Sequence, residues 1–275
     1  MKAAVVNPPA GLQVRNLVKH FDGVKAVQGA NFEVFPGECV ALIGPNGAGK
    51  STTFACIAGQ HAVTSGDVLW AGQSIAHRTP TQRLQAGVAS TFQVAQTFEA
   101  LTVLQNVQLA LGVNKGFSAL KSLEHKAQDA AMLLLAEFGL QNDAHRPVLG
   151  LPYGLKKRLE LAIALAGISG MSTDPAKPLA SPTKPLLLLL DEPAAGLAAE
   201  ERLALMQTVK AQATQGMAVL YTEHNMDAVF GVADRVLVLI DGKIAANGTP
   251  EAIAKDSTVQ RRYLGLNFHA GPPHA

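Results

Sequence analysis

The sequence predicts an α/β fold, in which a parallel sheet carries a phosphate-binding loop and a block of helices interrupts the alternation of strand and helix. Three observations predict it. The run Gly44-Pro45-Asn46-Gly47-Ala48-Gly49-Lys50-Ser51-Thr52 reads G-x-x-x-x-G-K-[ST] and sits between an apolar strand candidate (38–43) and a helix candidate (52–58). Residues 186–190 are five consecutive leucines, too short for a membrane and right for a central strand buried on both faces. Between them, from about 100 to 165, helical spacing replaces the alternation.

Taken in order, residues 12–18 alternate apolar and polar as a half-buried strand does, and residues 25–35 repeat the pattern before a Pro36-Gly37 turn. Phe21 lies between these two strands. It is either a core residue or an adenine-stacking platform, since any base offers a π-face, and the pattern alone favours core. In the loop that follows, glycines let successive backbone N–H groups turn toward a phosphate chain. The following helix aims its N-terminus at an anion, Lys50 reaches the β- and γ-phosphates, and Ser51 ligates Mg²⁺. Binding of a nucleoside triphosphate is therefore expected.

Residues 66–70 predict a short strand, 80–85 a helical turn, and 87–92 a strand ending in Gln93. Helices are expected at 100–111, 118–138 and 152–166, the last with Pro152 in its first turn, where a missing N–H costs nothing. Residues 167–185, with four prolines among small polar residues, read as a surface loop without chemistry. The leucine strand then delivers Asp191 and Glu192 to its C-terminal end, where open α/β sheets place ligands. Asp191 would hold Mg²⁺ and Glu192 would orient or deprotonate the attacking water. A solvated acidic turn is the ordinary alternative, and the phosphate loop in the same chain weighs against it. Further on come a helix (200–212), a strand (217–221), Glu223-His224 at its end, a short helix (225–232), and a strand (235–240) with an Asp241-Gly242 hairpin. Two short helical pieces follow residue 249, and Gly271-Pro272-Pro273 near the end is expected to fray.

Composition excludes several classes. A net charge of +2 gives no strong pull toward nucleic acid or anionic lipid. Cys39 and Cys56 fit no metal-ligand spacing and read as free core thiols of a reducing compartment, and the eight histidines are scattered. Residues 1–9 hold one lysine and no long apolar run, so no secretory signal is expected. No apolar window approaches the ~18 residues of a membrane span, so a cytoplasmic location is expected.

From about residue 12 to 264 the chain resembles the ATP-binding subunits of ABC transporters. The resemblance rests on an ordered set: Phe21, the Gly44 to Thr52 loop, Ser90-Thr91-Phe92-Gln93, Leu151-Pro152-Tyr153-Gly154-Leu155, the leucine strand through Pro193, and Thr222-Glu223-His224. It implies a P-loop NTPase (RecA-like) core with an N-terminal antiparallel β subdomain and an inserted α-helical subdomain at about 94–166. The ATPase domain would span 12–249, with a Pro-rich loop at 167–185 and a C-terminal tail at 250–275. By resemblance Phe21 stacks adenine, against the preference of the pattern alone. Gln93 senses Mg²⁺ and water beside the membrane-subunit interface, His224 is the γ-phosphate switch and Glu192 the catalytic glutamate. The implied cofactors are ATP and Mg²⁺. The implied partners are a second ATPase subunit, identical or different, two transmembrane permease subunits and, indirectly, a solute-binding protein. The implied location is the inner face of the plasma membrane.

Within that family the chain is similar to ATPases of importers for branched-chain amino acids and related small polar solutes. The cues are Thr91-Phe92-Gln93 with Phe98, Leu101-Thr102-Val103-Leu104-Gln105-Asn106-Val107, Asp191-Glu192-Pro193-Ala194-Ala195-Gly196-Leu197, Asn247-Gly248-Thr249-Pro250 and Tyr263-Leu264-Gly265. The chain departs from the family's Leu-Ser-Gly-Gly-Gln signature at Pro152, Tyr153 and Leu155, and Ala198 replaces a common aspartate. Proline offers the partner's γ-phosphate neither hydroxyl nor N–H. A charge-assisted hydrogen bond of roughly 1.5–3 kcal/mol is then missing, and the signature site is expected to be weakened. Lys156, Lys157 and Arg158 are expected to face solvent. A non-transport ABC-type ATPase and a weakly hydrolysing regulatory subunit are the alternatives. The first lacks a second cassette or coiled-coil insertion here, and Glu192 argues against the second.

Overall fold

The computed structural model describes residues 11–91, 97–112, 120–168 and 185–264. The expected Gln93, most of the Pro-rich loop and the Gly271-Pro272-Pro273 ending lie outside them. Two sheets organise the chain. Strands β1 (Leu12–Phe21), β2 (Val24–Val34), β4 (Ser65–Trp70) and β5 (Gln73–Ser74) form an antiparallel sheet in the order β2-β1-β4-β5. The larger sheet runs β10-β9-β3-β8-β7-β6, built from β3 (Cys39–Ile43), β6 (Val88–Ser90), β7 (Leu187–Asp191), β8 (Ala218–Thr222), β9 (Arg235–Ile240) and β10 (Lys243–Gly248). All its neighbours pair parallel except the β9–β10 hairpin.

The leucine strand shows why a continuous apolar run belongs at the centre. Leu188 and Leu190 enter one core with Ala41, Ile43, Val219 and the inserted helices. Leu187 and Leu189 enter a second core with Val40, Leu42, Leu220 and the antiparallel sheet. Successive side chains point to opposite faces, and both faces are covered, so every position has to be apolar. The helices are α1 (Lys50–Ala58), α2 (Pro80–Gln85), α3 (Val103–Gly112), α4 (Leu120–Glu137), α5 (Tyr153–Ile168), α6 (Ala199–Thr214), α7 (Met226–Phe230), α8 (Pro250–Lys255) and α9 (Ser257–Val259). Among the described residues no helix is long and apolar enough to cross a membrane.

Several boundaries differ from expectation, each for a local reason. Helix α3 starts at Val103 and not at 100, because Thr102 and Gln105 form a reciprocal cap. Thr102 Oγ1 accepts from Gln105 N (3.2 Å) and Gln105 Oε1 accepts from Thr102 N (2.9 Å). Pro152 stands just before α5, one position ahead of the predicted first turn. Strand β1 runs on to Phe21, which is its last residue and not part of a connector. The far end of α1 is held by Arg83, 1% exposed, whose guanidinium donates to the carbonyls of Cys56 (2.9 Å) and Ile57 and to Ala76 O (3.0 Å). A cation at that end complements the helix dipole, although burial brings the Arg83 pKa down to about 10. Both cysteines are free and buried; burial raises Cys39 to about 12 and Cys56 to about 11.

Candidate functional site

The order β9-β3-β8-β7 decides which residues meet, because the C-terminal ends of β3, β8 and β7 open on one edge of the parallel sheet. From β3 the chain enters the glycine loop. Gly44 has to be glycine: a Cβ there would lie 2.0 Å from the carbonyl oxygen of Leu239. Gly49, at φ 100°, precedes α1 as its N-cap and offers no side chain to the first-turn amides, which leaves them for an anion. Lys50 is 6% exposed, and its Nζ donates to the carbonyls of Gly44 (2.7 Å) and Pro45 (3.1 Å). Burial pulls its pKa down, and Glu192 and then Asp191 push it back up, which places both carboxylates within electrostatic reach of the loop. The Gly44 N–H faces the Tyr263 hydroxyl, so the C-terminal turn also touches the loop.

From β7, Asp191 pairs in register with Thr222 of β8. Thr222 joins the two acids: its hydroxyl donates to Asp191 Oδ1 (2.5 Å) and accepts from the Glu192 N–H (3.0 Å). Burial raises the Asp191 pKa, opposed first by the Thr222 hydrogen bond, while the neighbouring Glu192 adds to the rise. Glu192 itself adopts φ 48°, a left-handed conformation unusual for a non-glycine residue. Such backbone costs on the order of 1–3 kcal/mol and gathers at functional sites. Its Oε1 lies 2.9 Å from His224 Nε2. At this sheet edge Glu192 stands beside His224, and Glu192 and Asp191 both act on Lys50.

The donors present suit Mg²⁺ bound with a triphosphate. Ser51 is exposed in the first turn of α1, and Asp191 keeps one carboxylate oxygen outside its bond to Thr222. Both are hard oxygen donors of the kind Mg²⁺ takes. Among the described residues no cluster of three or more His, Cys, Asp or Glu could hold a metal alone, and Mg²⁺ ordinarily completes its shell with phosphate oxygens and water.

Phe21 is 38% exposed, which corrects the core placement that the sequence pattern favoured. Its ring meets His61 edge-on (centroids 5.2 Å, 79°), and Lys19 Nζ stands 4.5 Å from its centroid. In the signature segment Leu151 is buried, Pro152 and Tyr153 are exposed, and Gly154 and Leu155 are half-buried. Gly154 packs on the first turn of α6, where an added Cβ would sit 2.9 Å from Glu201 Oε1; a Cβ at Gly196 would meet Tyr153 Cε1 at 3.2 Å. Among the described residues no hydrogen bond joins this segment to the Lys50 loop of its own chain. The basic run that follows does not face solvent as expected. The Lys157 side chain is 2% exposed and pairs with Glu160 at 3.2 Å, and Lys156 reaches Glu99 at 3.2 Å. Lys157 alone is a helical i, i+3 partner of Glu160, so its charge is matched inside the protein.

Sequence reasoning gave no role to Thr222 or Glu223. Glu223 is 3% exposed, with Oε1 accepting from Ala194 N (2.9 Å) and Oε2 from His224 N (3.2 Å). The only sequence signal was their place beside His224 at a strand end.

Residues 27–171 match the family model described as ABC transporter. The chain is 35% identical over 264 residues to the high-affinity branched-chain amino acid transport ATP-binding protein LivG of Escherichia coli K12, covering 92% of this chain and 97% of that one. It is 33% identical to BraF, the counterpart so named in Pseudomonas aeruginosa, with the same 92% and 97% coverage. Among solved structures it is similar to a nucleotide-free ATP-binding cassette from an ABC transporter, with TM-score 0.76, 28% identity, and 93% and 99% of the two chains covered. A cassette solved in its ADP conformation gives TM-score 0.76 and 28% identity, with 93% and 98% covered.

Proposed function

This chain belongs to the ABC transporter family of ATP-binding subunits, and we propose that it powers the import of a small polar solute, branched-chain amino acids first among them. It is an ATPase that works with transmembrane permease subunits. The single observation that supports the residue assignment is the meeting of Lys50, Asp191, Glu192 and His224 at one sheet edge, with Glu192 and His224 2.9 Å apart.

In this reading Lys50 and the open amides of α1 bind the phosphates, and Phe21 stacks the adenine. Ser51, Asp191 and Gln93 would hold Mg²⁺, which would supply charge neutralisation at the β- and γ-phosphates. Glu192 orients the attacking water and takes its proton, and His224 contacts the γ-phosphate and steadies Glu192. Residues 12–249 form the ATPase domain, with a helical subdomain at about 94–166, a loop at 167–185 and a tail at 250–275. Two ATPase subunits face head to tail, so that Leu151-Pro152-Tyr153-Gly154-Leu155 of one meets the ATP of the other. Two permeases, and through them a solute-binding protein, complete the assembly on the inner face of the plasma membrane. An apolar groove of about 350 Å³, lined by Leu84, Ala89, Ser90, Phe98, Ile163 and Gly167, supports permease docking at this face. A non-transport role is not favoured, because the chain is similar to amino acid transport ATP-binding proteins, and a weakly hydrolysing one is not favoured, because Glu192 and His224 are both present and paired.

Reconstitution in vesicles with its transmembrane permease subunits tests the reading. ATP-dependent uptake of labelled leucine, lost in a Lys50→Met variant, is the expected result. Uptake of a different solute would correct the substrate alone, and failure to bind any permease would overturn the transport role.

A further inference from the structure

Glu223 is an expensive residue for a chain to carry in that position. It is 3% exposed at the end of β8, and among the described residues no lysine, arginine or histidine forms an ion pair with it. A buried carboxylate without a cation is tolerated only where hydrogen-bond donors meet its charge. Here the donors come from two separate segments. Ala194 N–H, in the loop after Glu192, reaches Oε1 at 2.9 Å, and His224 N–H reaches Oε2 at 3.2 Å; the Asn225 backbone N–H adds a further contact. Each oxygen therefore binds a different segment. A glutamine would offer one acceptor and one donor, and its donor would confront an N–H.

The loop it holds is under strain at its start. Glu192 is left-handed, and its N–H is fixed by Thr222, while Ala195 N donates back to Glu192 O at 3.1 Å and Leu197 N to Ala194 O at 3.3 Å. Such a conformation persists only where the surroundings over-determine it. Thr222 restrains it from before and Glu223 from after, two residues beyond Glu192. The same carboxylate anchors the backbone of His224, whose ring meets Glu192. On its far side the loop carries Gly196 against Tyr153 of the signature segment.

We propose that Glu223 is a positioning residue for ATP hydrolysis: by clamping the Ala194 and His224 amides with one carboxylate, it sets the distance and orientation of the Glu192–His224 pair. The proposal rests on the functional reading above. The Glu223 carboxylate accepts from the Ala194 and His224 amides and not from the Lys50 loop, so it acts on the rate of hydrolysis and not on nucleotide affinity.

Steady-state ATP hydrolysis by the permease-bound complex tests this with two variants. E223Q keeps the shape and removes one acceptor; kcat is expected to fall by about tenfold or more while KM for ATP stays within about threefold. E223D keeps both acceptor oxygens and the charge with a shorter reach, and is expected to recover part of the lost kcat. Melting temperature is measured alongside both. A lower melting temperature with unchanged kcat would make Glu223 merely structural and overturn the proposal, as would a rise in KM with kcat intact. If E223Q does not fold, E223D decides, and wild-type kcat in that variant refutes the role. A wild-type complex that hydrolyses no ATP would refute the functional reading instead, and is distinguished from either outcome by the wild-type control.

Discussion

Thr222→Val removes the one hydroxyl that joins both acids of the site while keeping the side chain's shape. The oxygen donates to Asp191 Oδ1 at 2.5 Å and accepts from Glu192 N at 3.0 Å. The Glu192 amide keeps a second acceptor, the Thr222 carbonyl at 3.2 Å, so the loss falls mainly on Asp191. A hydrogen bond to a charged group contributes roughly 1.5–3 kcal/mol, and that is the expected destabilisation near neutral pH. The pH dependence follows from Asp191, whose pKa burial raises and Thr222 lowers. Valine raises it further. A folded-state carboxyl pKa above the unfolded value means that stability falls as pH rises through the interval between them. The cost of Thr222→Val is therefore fully present above the raised pKa and shrinks as pH falls toward the ordinary aspartate value of about 3.9. Urea denaturation at neutral pH and near that value measures it. A loss under ~0.5 kcal/mol at neutrality, or an equal loss at both pH values, would refute the argument.

Other outcomes follow from the same geometry. Phe21→Ala removes an exposed ring at the end of β1; KM for ATP should rise by about 5- to 150-fold with kcat retained, from a stacking contribution of ~1–3 kcal/mol. Unchanged KM would return Phe21 to a packing role. Pro152→Ser places a hydroxyl directly before α5, where it can cap the helix for about 1 kcal/mol or reach the partner's phosphate. Turnover of the complete complex should rise by about tenfold, as one charge-assisted hydrogen bond permits; unchanged turnover would mean that the backbone amides there suffice.

The parts of this site that could be read from the sequence are those whose cause is local. The glycine loop, the five-leucine strand and the two acids at its end carry their reasons within a few residues. The alternating pattern puts Phe21 in the core because β1 does not keep its period. Its pairing with β2 shifts register between Val14 and Leu17, between Leu17 and Val18, and between Lys19 and His20, so alternation past Val18 no longer reports which face is buried. The burial of Lys157 depends on Glu160 and on how α5 packs, which a run of three basic residues does not display. Thr222 and Glu223 act across strands. Their partners are set by β8 lying between β3 and β7, a neighbour order that linear spacing does not encode. The contact of Tyr263 with Gly44 is likewise tertiary, joining positions far apart in the chain.

The central claim is that a triphosphate held by the Lys50 loop is cleaved with Glu192 as the base. Glu192→Gln in the reconstituted complex tests it most directly, with ATP binding and ATP turnover measured on the same preparation. The account predicts retained ATP affinity with turnover reduced by about a hundredfold or more, in the range that positioned proton transfer contributes. Turnover equal to wild type would contradict it.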